Sequence, residues 1–311
     1  MLLAIFGFGL GVVAGGADEI NARPFKDLSD ERRWLSNMVV HHRFSAEEIR
    51  AATGVTLEKA NQWKEKYSGA PGGRVAGAPL KVMPYPGGRH PRIGFLDGAI
   101  DPQRETKLSI FTPWDETSYV VADLPEAIWS NLGLTYLAHK HIDTLWTKQG
   151  IELPKLEWEQ LKNGDYRCER RLPNGIVFGT LARSTSEAVL MKMWLSNGTS
   201  RVLSDLRVQC CVMLKGAKGF DALTNENKVA EGKYSACRDE SGEKWVITAW
   251  KPLNRAWANA PVPCVHSDPA FPDVQPGGKT EIYGLVSFYE GQEIRQEFQR
   301  LEEKWPDWMS F

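Results

Sequence analysis

Apolar positions follow a helical period near the N-terminus and a strand period through most of the remaining chain. Ser45-Ala46-Glu47-Glu48 is a capping box that opens a short helix through Ala52, Thr53-Gly54 ends it, and Thr56 caps a second helix from Leu57 to Tyr67. With an earlier helix from Asp30 to Val40 they make a three-helix unit over residues 25–67. Residues 68–92 are rich in Gly, Pro and Ala and read as a linker. Beyond them the pattern predicts strands at Lys107–Phe111, Tyr119–Ala122, Tyr166–Arg171, Gly175–Ala182, Ala188–Leu195, Leu206–Leu214, Trp245–Trp250 and Glu281–Tyr289. Asn163-Gly164, Asn174-Gly175 and Asn197-Gly198 are hairpin turns between such runs. The run Val189–Leu195 is apolar on both faces, as in a strand buried between two layers. A mixed-charge helix from Gln292 to Lys304 closes the pattern. The expected fold is mainly β: a large antiparallel β-sandwich over 93–290, preceded by the three-helix unit and followed by a C-terminal helix over 291–311 that packs on the sandwich.

The opening apolar run changes the setting in which this fold is read. Gly9-Leu10-Gly11-Val12-Val13-Ala14 fits the dinucleotide pattern G-x-G-x-x-G/A, yet neither a long helix nor a second strand with an acidic tip follows it. Residues 1–17, with an apolar core from Leu2 to Val13 and small residues at Gly15 and Ala17, read instead as a signal peptide, although no Lys or Arg precedes the core. The expected location is secreted or periplasmic, with no integral membrane span in the mature chain. A net charge of −1 over 311 residues argues against a surface built for polyanions. The helix-turn-helix-like stretch Phe44–Val55 lies in a segment, 25–67, with eight Lys and Arg against seven Asp and Glu, so no nucleic-acid partner is expected.

The 12 Trp are read first as core and strand packing, and next as platforms for sugar rings, with Trp114 and Trp257 the candidates. The five cysteines contain no C-x-x-C pair, which points away from a structural zinc site, and export permits disulfides. Cys210 and Cys211 sit side by side in a strand and so face opposite sides.

Two constellations carry chemistry. Arg89-His90-Pro91-Arg92 with Asp97, Asp101, Arg104 and Glu105 is an irregular charged segment of the kind on which sites are built. There Asp101, Glu105 and His90 are the candidate acid-base groups, while Arg89, Arg92 and Arg104 hold substrate; a network fastening the linker to the sandwich is the competing account. His139 and His141 project from one face if extended, and with His266 they make a candidate divalent-metal set, against a plain surface strand. Apart from that set no cofactor is expected.

The stretch PYPGGRHPRIGFLDGAIDPQRETKLSIFTPWD at 84–115, Glu126-Ala127-Ile128-Trp129-Ser130-Asn131 and the tail WANAPVPCVHSDPAFPD resemble an uncharacterised family of exported bacterial proteins of the planctomycete type. Ala188 to Leu214 is similar to a repeated hairpin of galactose-mutarotase-like supersandwiches, which bind and process sugars. The epimerases among them carry a catalytic histidine in a His-Pro-Tyr-Phe stretch where this chain has Val208 to Leu214. The resemblance therefore implies a sugar-facing sandwich rather than mutarotation. The function expected is carbohydrate binding or processing, with an oligo- or polysaccharide as partner. The alternatives are a metal-dependent enzyme using the His-x-His pair and a structural or interaction protein of the cell envelope.

Overall fold

A computed structural model describes residues 22–69, 75–92, 104–138, 141–260 and 262–309. The opening run, including 1–17, lies outside them. Among the described residues, two antiparallel sheets pack face to face. The first contains β1 (Val82–Pro84), β2 (Lys107–Phe111), β3 (Tyr119–Ser130) and β4 (Gly133–Leu137), joined by β9 (Val208–Met213), β13 (Leu253–Ala258) and β14 (Cys264–Pro269). Its order is β1-β2-β3-β9-β14-β13, with β4 paired to β3. The second contains β5 (Glu159–Gln160), β6 (Tyr166–Arg171), β7 (Val177–Ser184) and β8 (Ala188–Ser196), joined by β10 (Lys228–Glu231), β11 (Tyr234–Arg238), β12 (Lys244–Lys251) and β15 (Lys279–Glu290). Its order is β10-β11-β12-β15-β8-β7-β6-β5.

The alternation of side chains along each strand decides what each face meets. Inward residues of the first sheet, such as Ile110, Val120, Val208 and Val212, meet Phe178, Met191, Val246 and Trp250 of the second in one continuous core. The second sheet is covered on its other side by the C-terminal helix, Ile294–Trp308, through Phe298, Leu301 and Trp305. That layer explains the double-sided apolar run of β8: Val189, Met191 and Met193 face the sandwich core, Ala188 and Leu190 the helix. Among the described residues no helix is long and apolar enough to cross a membrane.

The helical unit consists of α1 (Leu28–Leu35), continued as a wider π-type turn to His41, α2 (Ala46–Thr53) and α3 (Leu57–Tyr67). The capping box is formed, with Ser45 Oγ accepting from Glu48 N at 3.2 Å and Glu48 Oε2 from Ser45 N at 2.8 Å. Gly54, at φ 77°, ends α2 in the left-handed conformation that favours glycine. The unit has its own core around Leu35, Met38, Phe44, Ile49 and Trp63.

The expected linker is shorter than the composition suggests. Val82–Pro84 pairs with β2, and Tyr85 and Arg92 are buried, so the chain joins the sandwich well before 93. A Gly/Pro-rich composition reports only that no regular element forms, not that the backbone lies free. Arg89 fastens this strap. Its Nε and Nη2 donate to Glu48 at 2.5 and 2.6 Å, and its Nη1 to Tyr119 at 2.9 Å and to the His42 carbonyl at 3.0 Å.

His42 is wedged between the helical unit and the first sheet. Its Nδ1 lies 2.9 Å from the Asn37 carbonyl and its Nε2 2.7 Å from Ser109 Oγ on β2, and its ring meets that of Tyr119 at 4.4 Å. Burial pushes its pKa down from 6.5 to about 3, with a further push from the Arg89 charge. The stability this neutral imidazole contributes is thus complete above pH 6.5 and is lost as pH falls from 6.5 toward about 3, where only the unfolded chain takes the proton. Urea titrations from pH 7 downward should show a loss of about 1.4 kcal/mol per pH unit in that window. His42→Gln should flatten that part of the slope, and an unchanged slope would refute the assignment.

A charged row and a two-lobed cleft on the first sheet

Strand register builds the candidate site. Lys107 of β2 lies opposite Asp123 of β3, Asp123 opposite Cys211 of β9, Cys211 opposite His266 of β14, and His266 opposite Trp257 of β13. Directly paired residues share a face, so these five side chains form a row across the sheet on the side away from the sandwich core. Cys264 and His266, two apart on β14, project from that same face. Cys210, as its position beside Cys211 predicts, faces the core instead.

Polar partners secure the row. Lys107 Nζ lies 3.1 Å from Asp123 Oδ2 with both side chains fully buried. Asp268 accepts from Cys210 N at 3.0 Å, from Arg255 Nε at 2.9 Å and from Trp257 Nε1 at 2.6 Å. His266 stacks under Trp257 at 4.1 Å between ring centroids, with its Nδ1 3.7 Å from Asp268 Oδ1 and its Nε2 3.4 Å from Cys264 Sγ. Next to it, Glu126 receives Arg92 Nη2 at 2.5 Å and Gln209 Nε2 at 2.9 Å. Burial works against a charged His266, but Cys211, Asp268 and Glu126 outweigh it and raise the imidazole. Burial raises the Cys211 thiol; a hydrogen bond from Cys211 holds Cys264 below the ordinary thiol value.

At its His266 and Trp257 end the row meets a cleft of two lobes. The small lobe, about 160 Å³, is lined by Arg92, Glu126, Trp129, Gln209, Trp257, Asn259 and His266. The large lobe, about 800 Å³, is lined among others by Arg104, Glu105, Tyr136, Asp143, Trp146 and Lys155. Leu137, His141 and Ile142 line both, so the two spaces adjoin. In the large lobe Glu105 accepts from Tyr136 Oη at 3.0 Å and from Arg170 Nη2 at 3.1 Å. Arg104 donates to Glu157 at 3.0 Å, and Glu157 also takes Arg23 at 3.2 Å from the segment before α1.

Of the residues singled out in the sequence, Arg92, Arg104, Glu105, His141, Trp257 and His266 line the cleft. Arg89 does not face it, because its donors are taken up by Glu48, Tyr119 and the His42 carbonyl. Trp114 is a packing residue at the margin of the sandwich, stacked on Phe220 and edge-on to Phe288 at 5.5 Å. His90 closes a local turn, its Nδ1 3.2 Å from Arg92 N. Asp97, Asp101 and His139 lie outside the described residues. Among the described residues, the donors the structure brings to His266 are Cys211 and Cys264. Tyr136, Arg170 and Gln209 were not expected; each stands in an ordinary strand pattern, and only tertiary packing turns it toward the cleft.

Fold and site together define a two-sheet antiparallel sandwich with a polar, partly aromatic cleft whose small lobe is lined from the first sheet and whose large lobe is lined in part by the core residues Tyr136 and Trp146. No protein family matches this chain, and no curated protein matches its sequence. Among solved structures it is similar to a putative kojibiose phosphorylase from the human microbiome, at 8% identity and a TM-score of 0.38, over 68% of this chain and 28% of that one. It is also similar to heparan sulfate lyase HepC from Pedobacter heparinus, at 9% identity and a TM-score of 0.33, over 87% of this chain and 44% of the lyase. A third is the Slr1438 protein from Synechocystis, at 7% identity and a TM-score of 0.34, over 60% of this chain and 88% of that one. The chain thus spans less than half the length of the phosphorylase and of the lyase, which are carbohydrate-processing enzymes by name.

Proposed function

We propose that this chain binds or processes an oligo- or polysaccharide in the two-lobed cleft. The observation that carries the reading is the lining. A sugar presents apolar C–H faces and a polar rim, and the small lobe sets the Trp129 and Trp257 rings beside the Arg92–Glu126 pair, Gln209 and Asn259. The large lobe, about 800 Å³, falls within the range of roughly 300–1,000 Å³ that suits small-ligand sites. It mixes cationic and anionic groups, Arg104 and Lys155 with Glu105 and Asp143, as a hydroxyl-rich ligand requires. As an enzyme the chain would use Glu105, which Arg170 and Tyr136 hold within the lobe, as its acid-base carboxylate.

A glycan array followed by calorimetry tests the reading. Trp257→Ala should weaken the best saccharide about tenfold, ~1.4 kcal/mol, by removing a flat face from the lobe. Trp114→Phe, at the sandwich margin, should leave affinity unchanged. Reducing-end assays then separate the two forms of the proposal: turnover abolished by Glu105→Gln with binding kept marks an enzyme, binding without turnover a binding module. An array with no saccharide bound would overturn both.

A further inference from the structure

We propose that Cys211, Cys264 and His266 form a binding site for one thiophilic divalent cation, zinc by the chemistry of the donor set, reached from the small lobe through His266. The three donor atoms, all buried, lie within 4.8 Å of one another. Cys264 Sγ and His266 Nε2 are 3.4 Å apart. Tetrahedral zinc, with bonds of about 2.3 Å to sulfur and about 2.0 Å to nitrogen, holds S and N donors roughly 3.5 Å apart. The Cys264–His266 pair has that spacing, and Cys211 offers its sulfur within 4.8 Å of both.

Three further features fit. Metal-binding histidines turn their second nitrogen to a carboxylate that fixes ring and tautomer. Here Nδ1 of His266 faces Asp268, and Asp268 is itself held by Cys210 N, Arg255 and Trp257. Charge also balances, because two thiolates neutralise a dication and leave the adjoining Arg92–Glu126 pair undisturbed. Finally, His266 borders a space of about 160 Å³, ample for the water or ligand oxygen that completes an open site. The inference goes beyond the saccharide reading and does not depend on it.

The full chain, purified without chelator and with its thiols kept reduced, is assayed for metal by mass spectrometry. It is then stripped and titrated with Co²⁺. About one cobalt per chain with a thiolate-to-cobalt charge-transfer band is expected, along with retention of about one zinc before stripping. Cys211→Ser and Cys264→Ser should lose or shift the band, while Cys168→Ser and Cys237→Ser keep it. Asp268→Asn should retain the band but weaken cobalt about 10- to 100-fold. Folded, reduced wild-type chain that takes up no cobalt, or takes it up without the band, overturns the proposal. If a serine variant fails to fold, the wild-type spectrum and the two control variants still decide.

Discussion

Lys107→Met should destabilise the protein by about 3–5 kcal/mol in urea denaturation, with Asp123→Leu close behind and the double substitution recovering most of the loss. Both side chains are fully buried on the outer face of the first sheet, so removing one takes a close counter-charge from the other in a poor solvent. The pair itself contributes much less than that. Its 3.1 Å contact is not aligned as a hydrogen bond, and Asp123 relies as well on Thr106 Oγ1 at 2.9 Å. Two apolar side chains of similar volume then replace an attraction that barely exceeds its desolvation cost. Additive single losses, or single variants within about 1 kcal/mol of wild type, would show that water reaches the pair. A stable double variant is also the right background for the saccharide assay. Loss of binding there would mean the row supports the cleft through its charge and not its shape.

Glu126→Ala should cost a similar amount, about 3–5 kcal/mol, and should damage the cleft as well. Glu126 stands where the pairing of β3 with β9 shifts between Asp123 and Ala127, and that irregularity lets its carboxylate meet both Arg92 and Gln209. Truncation takes the carboxylate from a guanidinium that is almost wholly buried and removes an acceptor of Gln209 in the lining of the small lobe. Glu126→Gln keeps the shape and one acceptor toward Arg92, so it should cost clearly less. Thermal and urea unfolding check the stability; calorimetry with the best saccharide from the array checks the site. Equal losses for Gln and Ala would show that the negative charge, rather than the hydrogen bonds, holds Arg92 in place.

The strap from Tyr85 to Arg92 shows how a correct reading of composition still leaves geometry open. Its glycines and prolines exclude a helix or long strand, as their density along the segment predicts. They carry no record of Glu48, a capping residue that also receives Arg89 from more than forty positions away. The same limit applies to the tryptophans. Trp114 and Trp257 are indistinguishable as candidates in the sequence, yet one closes the sandwich margin and the other covers His266.

Local order along the chain determined the helix caps at Ser45 and Thr56, the stop at Gly54, the opposite orientations of Cys210 and Cys211 and the double burial of β8, because caps and side-chain periods depend on residues within one turn or one strand. The meeting of Cys211 with Cys264 and His266, of Arg92 with Glu126 and of Glu105 with Arg170 was decided by tertiary structure alone. Those pairings depend on strand register and sheet order, which shift every side-chain partner when they slip by one residue and which no local pattern encodes.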